Sequence, residues 1–130
     1  MARNDVEGPI HQAIFETLRY ALLDGSMIHH SPNEIGARLP EEVKRIIIGK
    51  WKAKGMRPGW PDLEIIARQR DGSWRLLMIE VKSPTGRQQP NQKEVQAEFE
   101  ALGIPYAICR SAYDVDDILK RENIDTRLAA

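Results

Sequence analysis

Apolar side chains recur at every third or fourth position in several stretches of the chain, which places them on one face of an α-helix. This pattern predicts four helices, over residues 10–23, 41–54, 92–102 and 113–121. Proline suits the first turn of a helix, and Pro9 and Pro40 stand at the start of the first two. The predicted apolar face of the second helix consists of Val43, Ile46, Ile47 and Trp51.

Other stretches show the apolar runs and alternation that are typical of β-strands. Residues 63–69 and 74–82 have this character, and Asp71-Gly72 between them is a strong signal for a hairpin turn. A short buried strand is predicted over residues 104–109, and residues 27–30 are a candidate extra strand within a loop-like segment. The order of elements predicts an α/β fold in which a small mixed β-sheet is flanked by helices.

The composition sets the class of protein. A chain of 130 residues, 42% hydrophobic and 29% charged, is typical of one soluble globular domain, which we assign to residues 1–130. No apolar run approaches the roughly 18 residues of a membrane span, and the first residues lack the apolar core of a secretory signal. The single cysteine, Cys109, excludes an internal disulfide. We therefore expect a cytoplasmic protein with no membrane contact and with Cys109 in its core.

Charge is unevenly distributed, although the formal net charge is zero. Residues 41–93 carry 12 Lys and Arg against 6 Asp and Glu, whereas the two flanking segments together carry 7 against 13. A basic middle segment can present one positive face to a polyanion such as nucleic acid. The alternative is that these charges simply coat the surface.

Three charged side chains in and beside the predicted hairpin are candidates for chemistry: Asp62, Glu80 and Lys82. Strand side chains alternate between faces, so Glu80 and Lys82 project from the same side. If residues 71–73 form a three-residue loop, Lys82 lies opposite Asp62 and Glu80 lies opposite Glu64. The three side chains then converge near the open end of the hairpin.

Two interpretations of this cluster of charges are possible, a cation-binding site and a pair of surface ion pairs. Neighbouring carboxylates repel unless a cation joins them, and their oxygen atoms suit Mg²⁺ or Mn²⁺. A lysine beside that cation can orient or deprotonate a water molecule and offset developing negative charge. The alternative is a pair of surface ion pairs on a half-solvated sheet.

The residues around this cluster resemble a nuclease family. Pro61-Asp62 followed by Glu80-Val81-Lys82 resembles the Pro-Asp…(Asp/Glu)-X-Lys pattern of restriction-endonuclease-like nucleases. KGMRPGWPDL, IEVKSPTGRQQPNQ and LGIPYAICRS resemble the core motifs of one branch, the VRR-NUC nucleases. EGPIHQAIFETL and HHSPNE resemble the first helix of that family and the loop after it. The resemblance covers nearly the whole chain.

The resemblance implies a restriction-endonuclease-like core and a metal-dependent DNA phosphodiesterase. It implies that Asp62 and Glu80 hold Mg²⁺ or Mn²⁺, with the Val81 carbonyl as an additional ligand. Lys82 would place the attacking water, and Gln92 would support the lysine or the scissile phosphate.

The family also uses a glutamate of its first helix as an acidic partner at the metal. Glu7 matches by its position, and Glu16 is the alternative inside the helix. The residues that we predict to contact DNA are His30, Asn33, Lys52, Lys54, Arg57 and Arg87. For Asn33 the alternative is a turn former or helix cap, and for Arg87 a solvated loop arginine.

Two classes of function follow. The first is a nuclease that cuts branched or otherwise structured DNA, similar to Holliday-junction resolvases, as a homodimer that cuts two strands symmetrically. The second is a nucleic-acid-binding protein that kept the fold and lost the chemistry. The presence of Asp62, Glu80, Lys82 and Gln92 together favours the enzyme.

Overall fold

The computed structural model describes residues 6–31 and 39–127. Along the chain the elements are α1 (Glu7–Ala21), β1 (Met27–His30), α2 (Glu41–Ala53), β2 (Leu63–Arg68), β3 (Trp74–Val81), α3 (Pro90–Ala101), β4 (Tyr106–Cys109) and α4 (Tyr113–Arg121). The predicted α/β class is confirmed, and the candidate strand at residues 27–30 forms β1. Within the described residues, no helix is long and apolar enough to cross a membrane.

The four strands form one mixed sheet in the order β1-β2-β3-β4. β2 pairs antiparallel with β1 on one side and with β3 on the other, and β4 joins β3 in parallel. The parallel pairing follows from the chain path, because α3 carries the chain back to the end of the sheet where β3 began. β3 is therefore an inner strand with partners on both sides, and its carboxyl end is held rigidly.

Helices cover both faces of the sheet. On one face, β2 and β3 alternate their apolar side chains toward α1 and α4, so that Leu63, Ile65, Leu77 and Ile79 are fully buried. On the other face, α3 packs over β3 and β4 through a smaller cluster of Met78, Val95, Phe99 and Tyr106. The alternation of strand side chains places the residues of these two clusters on opposite faces of the sheet.

The hairpin turn differs from the prediction. The loop consists of residues 70–72, because the N–H of Gln69 donates to the carbonyl of Ser73 at 2.9 Å, and Gly72 adopts a φ of 87° that favours glycine. Leu63 therefore pairs with Ile79, so the predicted pairs Asp62–Lys82 and Glu64–Glu80 are wrong. The register differs from the predicted one by two residues, which preserves the face of every side chain.

The second helix differs in its burial. α2 has the predicted apolar stripe, but none of its residues is buried, and Ile46 is 58% exposed. Periodicity shows which face of a helix is apolar and does not show whether another element covers it. The structure therefore gives α2 a peripheral position.

Candidate active site

Asp62 and Glu80 lie beside each other at one end of the sheet. Asp62 directly precedes β2, Glu80 is the penultimate residue of β3, and the antiparallel pair Leu63–Ile79 brings these ends together. Lys82 follows β3, and its backbone N–H donates a 3.1 Å hydrogen bond to the last carbonyl of β4. The side chain of Lys82 is only 7% exposed. Two strands thus bring two carboxylates and one ammonium group to a single corner.

The Asp62 carboxylate is in an unfavourable electrostatic environment. Its Oδ2 atom accepts a 2.7 Å hydrogen bond from the backbone N–H of Val81. Burial raises the pKa of Asp62 to about 6, and the negative charges of Glu7 and Glu80 add to the rise, whereas the Val81 N–H and Lys82 oppose it. Carboxylates that repel one another in this way are stabilised when a cation binds between them.

The Glu80 carboxylate is 1% exposed and has two different sides. Oε1 accepts a 2.5 Å hydrogen bond from the hydroxyl of Tyr106 and a 3.1 Å hydrogen bond from Nε2 of Gln88. Oε2 is buried and has no hydrogen-bond partner in the part of the chain that the structure describes. A buried carboxylate oxygen without a partner carries a large desolvation cost, which a cation bound at this atom would offset.

The side chain of Arg110 holds the loop that follows Lys82. Nη1 of Arg110 donates to the carbonyls of Ser83 and Gly86, at 2.6 and 2.7 Å. Arg110 directly follows β4, so it ties this loop to the end of the sheet. Arg87, in the same loop, is exposed, as a phosphate contact requires. Sequence reasoning did not find Arg110, because no spacing along the chain links it to the loop.

Two glutamines near the start of α3 make different contacts, and the one that reaches Glu80 is Gln88 rather than Gln92. The side chain of Gln92 closes a capping box at the start of α3, where Oε1 accepts a 2.7 Å hydrogen bond from the N–H of Gln89. Gln88 is the glutamine that contacts Glu80, and it also donates to Gln96 at 2.7 Å. The role of Gln92 at the lysine or the phosphate stays a prediction, and Gln88 is a contact that sequence reasoning missed.

The two candidate glutamates of α1 lie in different surroundings. Glu7 opens the helix, and its charge contributes to the raised pKa of Asp62. Glu16 is exposed and interacts with its helix neighbours, accepting a 3.0 Å hydrogen bond from Gln12 and lying 3.9 Å from Arg19. Of the two, Glu7 is the one whose charge acts on Asp62, and its part as the acidic partner at a metal stays a prediction.

His30 contacts the backbone of Asp62. Its Nδ1 atom is 3.0 Å from the backbone carbonyl of Asp62, and because a carbonyl only accepts, this nitrogen is the donor. The ring also packs edge-on against His11, with centroids 4.5 Å apart. His30 is exposed, as a phosphate contact requires. Asn33, predicted to face DNA, lies outside the described residues.

Glu64 is on the same face as Asp62 and has its own hydrogen-bond partners. Its Oε1 atom accepts from Ser31 at 2.7 Å and from the indole of Trp60 at 3.3 Å, and His29 lies 3.3 Å away. Burial alone would raise the pKa of Glu64, but these hydrogen bonds lower it overall. Glu64 is thus engaged away from the candidate cation position.

The basic residues before the site are not equivalent. Lys52 and Lys54 are exposed at the end of α2 and just after it. Arg57 instead forms an ion pair with Glu98 of α3, with Glu94 3.8 Å away. Arg57 can contact a phosphate only if this ion pair opens. Among the described residues, Lys54 forms no ion pair that would have to open first.

The donor set fits a hard divalent cation. In the described part of the chain, no three His, Cys, Asp or Glu side chains cluster tightly enough to hold a metal unaided. Mg²⁺ and Mn²⁺ are commonly held by one or two carboxylates while water and substrate phosphate complete the shell. Asp62 and Glu80, with the unpartnered Oε2 of Glu80, match that requirement.

Comparison with known proteins gives the family. The model of the VRR-NUC domain matches residues 7–113. A solved structure described as a VRR_NUC domain protein is similar with a TM-score of 0.67 and 21% identity, over 95% of this chain and 93% of the other. Another, described as a VRR_NUC domain, has a TM-score of 0.54 and 20% identity, over 90% and 97%. No curated protein matches. The chain belongs to the VRR-NUC family of nuclease-like domains.

Proposed function

We propose that this protein is a DNA endonuclease that requires Mg²⁺ or Mn²⁺ and hydrolyses phosphodiester bonds. The observation that carries the proposal is the buried, unpartnered Oε2 atom of Glu80 beside the carboxylate of Asp62. Two neighbouring carboxylates in such surroundings lower the stability of the metal-free protein. Groups that are unfavourable in this way are typical of functional sites, and a bound cation would stabilise these two.

Each residue has a distinct part in the reaction. Asp62 and Glu80 hold the cation, with the carbonyl of Val81 as a further ligand, and Glu7 is the acidic partner near Asp62. When bound, the cation supplies Lewis-acid polarisation of the scissile phosphate. The ammonium group of Lys82 orients the attacking water, whose oxygen bonds to phosphorus as the bond to the leaving sugar oxygen breaks. The water gives a proton to solvent, and the leaving sugar oxygen takes one from solvent. Lys82 also offsets the charge that develops on the phosphoryl oxygens.

The substrate is proposed to be branched or otherwise structured DNA. The exposed cations Lys52, Lys54 and Arg87 lie in the segments that lead into and out of the site. Contacts of this kind bind the phosphate backbone without reading bases, so the path of the backbone decides what binds. A homodimer in the cytoplasm, with two sites related by a two-fold axis, would cut a four-way junction symmetrically.

The test is a cleavage assay in Mg²⁺ and in Mn²⁺ on a four-way junction, a flap, a duplex and single strands, with the oligomeric state measured by sedimentation. We expect cleavage of the branched substrates by the wild type and none by Glu80→Gln or Asp62→Asn. Asp117→Asn, on the exposed side of α4, is the matched control and should remain active. DNA binding without cleavage in either ion would instead establish the inactive nucleic-acid-binding protein.

A further inference from the structure

The two oxygens of the Glu80 carboxylate differ in their hydrogen bonding, and the residues that cause the difference lie outside the motif formed by Asp62, Glu80 and Lys82. Both hydrogen bonds go to Oε1, from Tyr106 and Gln88, and Oε2 receives none from the described residues. The terminal torsion of a glutamate is normally broad, so donors on one side fix which oxygen points where. The 2.5 Å distance from the Tyr106 hydroxyl is at the short end of the range for O–H···O hydrogen bonds.

The Tyr106 hydroxyl is itself held firmly. Tyr106 opens β4, where it pairs in register with Met78, and its ring lies 6.1 Å from that of Phe99 in the core under α3. The side chain is buried, and its hydroxyl group donates to the carboxylate of Glu80.

The Gln88 amide is fixed by a chain of hydrogen bonds. Its Nε2 donates to Glu80 and also to Oε1 of Gln96, and Nε2 of Gln96 donates to Glu100 at 2.9 Å. Both ends of this chain are carboxylates, which only accept when ionised. The direction of each amide is thereby determined, and Gln88 presents a donor to Glu80.

We propose, as an extension of the metal-dependent function above, that Tyr106 and Gln88 are positioning residues that select the cation. By occupying Oε1, they leave Glu80 a single oxygen for the cation, and the carboxylate binds through that oxygen alone. Mg²⁺ and Mn²⁺ accept single oxygens in an octahedral shell, whereas Ca²⁺ takes six to eight oxygens and readily uses both oxygens of a carboxylate. The two donors thus favour the smaller ions over Ca²⁺.

The experiment measures binding of Mn²⁺ and Ca²⁺ separately by calorimetry, without DNA and without any activity readout. In Tyr106→Phe, which keeps the ring, Oε1 loses the shorter of its two hydrogen bonds and keeps the one from Gln88. We expect the preference for Mn²⁺ over Ca²⁺ to fall by about tenfold, the usual size of an effect from a residue that orients a metal ligand. Tyr113→Phe is the matched control, because Tyr113 is 92% exposed, and it should keep the wild-type preference.

A second variant covers the case in which Tyr106→Phe does not fold. Gln88→Leu removes the other donor from a half-buried loop position and should shift the ion preference in the same direction by a smaller factor. An unchanged preference in the folded variants, or an equal loss for both ions, overturns this inference. A wild type that binds neither ion, or a Glu80→Gln variant that binds both as well as the wild type, overturns the proposed function itself.

Discussion

The carboxylate of Asp62 accepts a hydrogen bond from the backbone N–H of Val81, and this bond joins the loop before β2 to the end of β3. The first acid of the site is thus positioned by the main chain of the strand that carries the second. No side chain at position 81 is needed for that contact. A backbone donor is also less easily lost by mutation, so the distance between Asp62 and Glu80 depends on the hairpin itself.

The raised pKa of Asp62 predicts a stability cost in the protein without metal. The pKa rises from 3.8 to about 6 on folding, so the ionised form opposes folding above pH 6, and the cost disappears as the pH falls toward 3.8. A rise of this size corresponds to up to about 3 kcal/mol. Asp62→Asn should therefore stabilise the metal-free protein at pH 8 and lose this advantage near pH 4 in urea denaturation. An equal gain from Asp62→Asn at both pH values would contradict the assignment.

Lys82 is expected to act on water rather than on the cation. Lys82→Met keeps most of the buried aliphatic chain and removes the charge. Cleavage measured under single-turnover conditions should fall on the order of 10²-fold or more, the size expected for loss of a positioned catalytic group. Calorimetric titration with Mn²⁺ should show nearly unchanged affinity. A large loss of Mn²⁺ binding with normal cleavage at saturating Mn²⁺ would assign Lys82 to the cation site instead.

DNA binding should depend on salt although the net charge is zero. Each phosphate contact contributes about 0.9 to the log–log slope of affinity against salt. Lys54→Ala should reduce the slope by about that amount, measured by fluorescence anisotropy in EDTA from about 50 to 200 mM salt. Arg57→Ala should change it less, because Arg57 already pairs with Glu98. Equal slopes for wild type and Lys54→Ala would exclude Lys54 from the DNA-binding surface.

The loop before Asp62 depends on a glycine that nearly touches α3. A Cβ atom at Gly59 would lie 2.7 Å from the carbonyl carbon and oxygen of Asn91, and φ at Gly59 is 86°. Gly59→Ala should therefore destabilise the protein by about 1–3 kcal/mol or more, from backbone strain and from the clash. Gly49→Ala, in α2 with open space around it, should be neutral or stabilising by up to about 1 kcal/mol. Urea denaturation of both variants tests this, and similar midpoints would contradict it.

The regular elements could be predicted because their signals are local. α4 begins and ends at the predicted residues, and β1 coincides with the candidate strand. The hairpin register could not be predicted from the sequence alone, because it depends on which three residues form the turn. Asp71-Gly72 fits a loop over residues 70–72 as well as one over residues 71–73. The exposure of Ile46 required knowledge of what packs on α2, which periodicity does not contain.

The site was only partly predictable for a similar reason. Asp62, Glu80 and Lys82 stand in a short motif, so their residue types and spacing identify them. Tyr106 and Arg110 come from β4 and the residue after it, and they reach the site only because β4 pairs in parallel with β3. Gln88 could not be predicted because several glutamines stand close together in this segment. The path of the chain into α3 determines which of them faces Glu80.

The place of Cys109 gives the protein a built-in probe of its own opening. It is the chain's single cysteine, it is fully buried, and it pairs with Val81 at the end of the sheet that carries the site. Burial raises the pKa of its thiol to about 11, so at neutral pH the group is both protonated and shielded. The side chain of Cys109 lies in the core between the sheet and the helices α1 and α4, so a thiol reagent reaches it when that core opens. The labelling rate of the unmodified protein therefore measures how often these helices move away from the strands that carry the site.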